Sequence, residues 1–245
     1  MLFFHAFLKP NMRKSLIALT GLAVAVQMAS AGDITGKITL KGTAPAEKDI
    51  TPLKEDANCG KFHSEMPKTR FYAVGADGAL ADVIVSVQGI SGKSTGASAA
   101  PLVLDQKGCE YIPSIFAAQT GQKLNIKNSD PVLHNVHTQP VAASGNKESN
   151  NAQMAGSADI TITFEKAEPF LKFKCDVHPW MFAWVSVFDH PYFAVSGKDG
   201  TFKIANVPAG KYKIEAAHRK AGAVVQEIEV KDGEAAKVDS TLEPK

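Results

Sequence analysis

Much that would point to a familiar chemistry is missing from this sequence. There is no Cys-x-x-Cys-His for covalent haem, no glycine-rich phosphate loop and no Ser-His-Asp arrangement. Heptads and repeats of solenoid length are also lacking, so coiled coils and stacked arrays are excluded. Cysteine is scarce, with three in 245 residues. Net charge is small, at +2. No apolar run reaches the roughly 18 residues of a membrane span.

The one pronounced apolar run, Leu16 to Val26, follows Arg13 and Lys14 and precedes Ala29-Ser30-Ala31. A basic start, a short apolar stretch and a small-x-small site together read as a cleaved export signal over 1–31, with Gly32 as the first mature residue. Residues 1–11 read as an extension upstream of it. Removing Lys9, Arg13 and Lys14 from the 27 basic residues leaves 24 against 25 acids, a net charge of −1. That balance does not suit nucleic acid. A periplasmic or secreted protein without stable membrane insertion is expected.

Export changes the meaning of the cysteines. Outside the cytoplasm two of three are expected to pair. Cys175 lies in a metal-ligand motif, so the expected bridge is Cys59–Cys109. The alternative is a pair of buried free thiols.

The mature sequence alternates like strands. Val83, Val85 and Val87 alternate with Ile84, Ser86 and Gln88; Leu124 and Ile126 with Asn125 and Lys127; Ile160, Ile162 and Phe164 with threonines. Asp-Gly pairs at 77–78, 199–200 and 232–233 mark tight turns, and long loops are expected at 91–100 and 142–157. An all-β protein built of sandwiches follows.

The stretch Cys175-Asp-Val-His178-Pro-Trp-Met181 carries the chemistry. Leu171, Phe173 and Cys175 fall on one face of a strand, with Lys172 and Lys174 on the other. A soft thiolate, an imidazole and a thioether on one loop suit copper; two His and one Cys with a weak axial Met make a blue-copper site. The second imidazole must come from His134 or His137. These are three apart on a strand, so only one can face the metal. His63, His190 and His218 have no such company and are expected at the surface or in turns.

The segment from about Pro101 to Asp189 resembles the cupredoxins, and among them the amicyanin-like and plastocyanin-like type 1 copper proteins. It carries His134-Asn135-Val136-His137 and the short Cys175…His178-Pro179…Met181 loop, with residues 121–128 similar to the strand before the first ligand. The whole chain resembles a broader methylamine-utilisation-like family that adds flanking β segments. The resemblance implies one type 1 copper ion held by His134, Cys175, His178 and Met181. It implies that Asn135 ties the two ligand-bearing loops together. It implies one-electron transfer to a redox protein such as a c-type cytochrome or a dehydrogenase. The alternative is a copper carrier or sensor without electron transfer. No enzyme is expected, since the sequence shows no further histidine cluster for a catalytic copper. His178 is expected as the ligand edge nearest solvent, with Pro179, Trp180 and Phe182 as a docking edge.

Residues 197–204 and 207–214 resemble the carboxypeptidase regulatory-like domain, a small transthyretin-like sandwich, and residues 34–38 with 81–87 resemble its first half. The expected organisation is an N-terminal β-rich region at 32–97, a cupredoxin domain at 98–190 and a carboxypeptidase regulatory-like sandwich at 191–245. The first and last of these can pair into one sandwich or stand apart.

Overall fold

Strand Ala31–Leu40 buries every second residue, from Gly32 through Ile34, Gly36 and Ile38 to Leu40. This alternation lays one face on a core. The computed structural model describes residue 2 and residues 31–245, so the export signal lies outside the described residues except at Leu2 and Ala31. Ala31–Leu40 pairs antiparallel with Thr201–Pro208 and parallel with Ala236–Lys237 and Ser240–Leu242. Gly36 is required here: a Cβ would meet the Val238 carbonyl oxygen at 1.8 Å. The facing sheet runs Phe193–Val195, Ile84–Gln88, Gly210–His218, Gly222–Val230. Ile34, Ile38, Leu80, Val85, Ile204 and Ile214 share the core between them. Strands near the two ends of the chain therefore interleave in one set of sheets.

Residues 102–188 build a second pair of sheets. One runs Ile115–Gln119, Phe182–Phe188, Glu168–Lys174, His134–Gln139, Ser149–Gln153; the other runs Tyr111–Ile112, Leu102–Gln106, Leu124–Asn128, Ile160–Ile162. Leu104 and Ile126 from one and Val136, Leu171, Phe173 and Val185 from the other pack into a shared core. The protein is all-β, as the alternation indicates.

Three expectations need correction. The loop expected at 142–157 contains the strand Ser149–Gln153, which extends the sheet beside His134–Gln139. Asparagine-rich Ser-Asn-Asn-Ala-Gln has low strand propensity. It is held by the ladder and by Gln153, whose buried amide donates to the Ile126 carbonyl and accepts from Gln106. Within the region expected to be β-rich at 32–97, residues 41–80 contribute a short helix, Thr51–Glu55, and two 3-10 turns, Cys59–Phe62 and Ala76–Gly78, with only isolated bridges. Leu53 and Cys59 from this stretch enter the second core. His190 and His218, expected at the surface or in turns, lie at a bend and at a strand end beside a turn, but each is only 4% exposed. His218 packs its ring 5.2 Å from that of Tyr72, and its Nδ1 accepts the amides of Lys220 and Ala221. Hydrogen bonding to backbone makes burial of a neutral imidazole tolerable.

Candidate metal centre

Cys175 arrives at the end of strand Glu168–Lys174, on its buried face with Leu171 and Phe173. The chain then folds back at once. The Met181 amide donates to the His178 carbonyl at 2.9 Å, and the Cys175 amide donates to the Met181 carbonyl at 3.1 Å. Those bonds fix the loop that carries Cys175, His178 and Met181. His134 opens the neighbouring strand His134–Gln139, which pairs antiparallel with the cysteine strand, Lys174 opposite His137.

Three ligand atoms converge. His134 Nδ1 lies 2.9 Å from His178 Nδ1, and His178 Nδ1 lies 3.7 Å from Cys175 Sγ. Their exposures are 0, 7 and 2%. Met181, 1% exposed, closes the same loop and belongs to the same core. His137 turns away, its Nδ1 2.8 Å from Asp176 and its Nε2 2.5 Å from Glu148. This is the opposite-face placement that a spacing of three on a strand requires.

The surroundings set the state of each donor. Asp130 Oδ2 accepts from His134 Nε2 at 2.9 Å. With the proton on Nε2, the neutral ring presents a bare Nδ1 lone pair to the other donors. Burial alone would raise the Cys175 thiol; the neighbouring His134 and the amides of Asn135, His178 and Val177 outweigh it and hold the thiol below its ordinary value. Burial holds His178 below the usual imidazole range. Two facing imidazole nitrogens and a readily ionised thiol form a compact donor set suited to a soft or borderline cation, and the residue types fit copper.

Asn135 ties the ligand loops together directly. Its amide nitrogen donates to Cys175 Sγ at 3.5 Å, and its side-chain oxygen accepts the Asp176 amide at 2.5 Å. Tyr111 adds a second tie, its hydroxyl donating to the Asn135 carbonyl at 2.6 Å and the Lys174 carbonyl at 3.2 Å. Burial, reinforced by the negative charge of Cys175, pushes the Tyr111 phenol well up, so it stays a donor.

No protein-family model matches the chain, and no curated protein does. Among solved structures it is similar in part to a copper-containing nitrite reductase from Thermus scotoductus SA-01, at TM-score 0.33 and 19% identity, covering 36% of this chain. The chain spans only 22% of that enzyme's length. An amicyanin variant in its Cu(I) form gives TM-score 0.31 and 20% identity over 42% of this chain and 97% of its own. A novel purple cupredoxin from Nitrosopumilus maritimus gives TM-score 0.30 and 20% identity over 35% of this chain and 98% of its own.

His178, expected as the ligand edge nearest solvent, is the most exposed of the four expected ligands at 7%, yet it lies under a cover that the motif does not show. A ring nitrogen of His178 and the sulfurs of Cys59 and Cys109 all lie within 4.8 Å of one another. Cys59 and Cys109 form a disulfide, and Cys175 is the free thiol. The Trp180 ring centroid stands 5.2 Å from that of His178. The stretch 51–62 thus brings a cap over the ligand that the motif alone would leave open. Of the expected docking edge, Pro179 is exposed. Trp180 is half-buried, with its indole N–H donating to the Cys109 carbonyl at 3.1 Å. Phe182 is half-buried against Trp184, 4.8 Å between centroids, and Arg219 lies 3.5 Å above the Trp184 ring. Val177, 48% exposed, was not singled out. Asp130 and Tyr111 were missed too. An acid four residues before His134 was a usable signal; nothing in sequence points to Tyr111.

Proposed function

We propose that this chain is an exported type 1 copper protein that carries single electrons between redox partners. The observation that carries the reading is the buried convergence of His134 Nδ1, from one strand, with His178 Nδ1 and Cys175 Sγ, from a loop closed by Met181. Copper bound there would supply a one-electron Cu(II)/Cu(I) couple. His134, Cys175, His178 and Met181 would hold it. Asp130 keeps the His134 lone pair turned inward, and Asn135 and Tyr111 keep the two loops in register. Such support holds ligands still as charge changes. The reading assigns no catalysis of its own to the chain.

Burial of His178 under the disulfide favours a site that keeps its ion over a carrier that releases it readily. It also moves the docking edge: Val177 and Pro179 are the exposed apolar positions on the ligand loop. A small apolar patch suits brief contact with a redox protein, such as a c-type cytochrome or a dehydrogenase, in the periplasm or outside the cell. The test is one copper per chain that survives a chelator and takes up one electron reversibly. Loss of copper to the chelator in both oxidation states would favour the carrier reading.

A further inference from the structure

The donors at this end of the molecule extend beyond the set already described. Among the described residues, Cys59, Cys109 and His178 form one cluster with ligand atoms within 4.8 Å of one another, His134, Cys175 and His178 a second, and Cys109, Asp130 and His134 a third. Every member is buried. As a disulfide, Cys59 and Cys109 have no thiolate to offer. As thiols they would be two soft donors beside an imidazole.

Their positions do not depend on the S–S bond alone. Asp130 accepts the amides of Gly108 and Cys109, each at 2.7 Å, and Trp180 donates to the Cys109 carbonyl. Asp56 Oδ1 accepts the amides of Asn58 at 2.9 Å and Cys59 at 2.8 Å. Leu53, on the same short segment as Cys59, is fully buried in the core that holds Cys175 and Met181. These backbone hydrogen bonds to carboxylates and the apolar anchor are constraints that do not run through the bond between the two sulfurs.

We propose that, once the Cys59–Cys109 bond is reduced, Cys59, Cys109 and His178 form a second site for a soft, thiophilic cation such as Cu(I) or Cd(II), stacked outside the inner set and sharing His178 with it. A dithiol supplies the two electrons and two protons: the S–S bond breaks, two thiols form, and the reductant leaves as its own disulfide. The arriving cation displaces the two thiol protons to solvent and forms two metal–sulfur bonds. Exchange with a disulfide oxidant re-forms the Cys59–Cys109 bond, releases the cation and leaves the oxidant as its dithiol, so the inner set is the remaining thiolate site. A cation entering before the disulfide closes would therefore meet a contiguous path of donors from the cap to Cys175. This use as an entry rests on the function proposed above; the outer site itself does not.

The experiment separates the two by removing the inner thiolate. Full-length mature protein carrying Cys175→Ser is prepared with its disulfide intact and after dithiol reduction, and both are titrated with Cd(II) without oxygen. The reduced protein should bind one Cd(II) per chain with a thiolate-to-cadmium ultraviolet band for two sulfurs; the disulfide form should show none. His178→Ala in the same background should weaken binding by roughly tenfold or more, and Cys59→Ser with Cys109→Ser should abolish the band. No band after reduction, affinity unchanged by His178→Ala, or loss of the folded circular-dichroism signal on reduction would each overturn the proposal. None of those results bears on copper binding at Cys175 in the unaltered chain.

Discussion

Asp130 Oδ2 lies 2.9 Å from His134 Nε2, and both side chains are buried. The same carboxylate accepts the amides of Gly108 and Cys109. One aspartate thus orients an inner ligand and anchors the bend that carries Cys109. Asp130→Ala should lower copper affinity by roughly 10–100-fold, the usual cost of losing a ligand's hydrogen-bond partner. It should also lower unfolding stability by about 1–3 kcal/mol, since buried amides lose their acceptor. Competition with a chelator and denaturant unfolding measure the two effects.

The Cys59–Cys109 bridge closes a loop with a sequence separation of 50. In the chain-entropy model that stabilises the fold by about 4 kcal/mol. Replacing both cysteines by Ala should reduce the denaturation midpoint accordingly, and it should speed loss of copper to a chelator, because the cap over His178 is no longer stapled. An unchanged release rate would show that the cap does not govern access.

Trp180 and Val177 should separate packing from docking. Trp180→Glu should alter the visible spectrum of the copper protein, since its indole packs beside His178 and donates to Cys109. Val177→Asp, at an exposed position, should leave the spectrum alone and slow electron exchange with a partner. An unchanged spectrum in Trp180→Glu, or an unchanged rate in Val177→Asp, would remove that residue from its assigned role.

His218 gives the fold a pH dependence. Burial first, and the charge of Arg219 second, hold its imidazole down to about 4. In the unfolded chain the ring titrates near 6.5. The unfolded state therefore takes up the proton first as pH falls. The stability tied to the neutral ring is complete above about pH 6.5 and declines toward pH 4, by up to about 3 kcal/mol. His218→Gln should flatten that decline. Unfolding curves at neutral and mildly acidic pH for both proteins would check it.

Local patterns carried a good part of this structure. The alternation of Leu171, Phe173 and Cys175 was enough to place the thiol inward, and the spacing of three between His134 and His137 was enough to send only one toward it. Strand Ser149–Gln153 escaped because its residues are polar and its ladder is a tertiary fact. The covering of His178 escaped for a related reason. Cys59 is 119 residues before His178, and only the folded chain shows that the disulfide lies against that ring. Burial of His190 and His218 was illegible because a histidine among polar neighbours looks the same whether its ring faces water or a core.

The visible spectrum of copper-loaded protein, recorded for the unaltered chain and for Cys175→Ser and Met181→Leu, tests the central claim most directly. The unaltered oxidised protein should hold one copper with an intense thiolate-to-copper band, and Cys175→Ser should lose that band. Met181→Leu should keep both copper and band, with a higher reduction potential because a weak donor to Cu(II) is gone. A Cys175→Ser protein with the same visible band, or an unaltered protein that binds copper without one, would contradict the account.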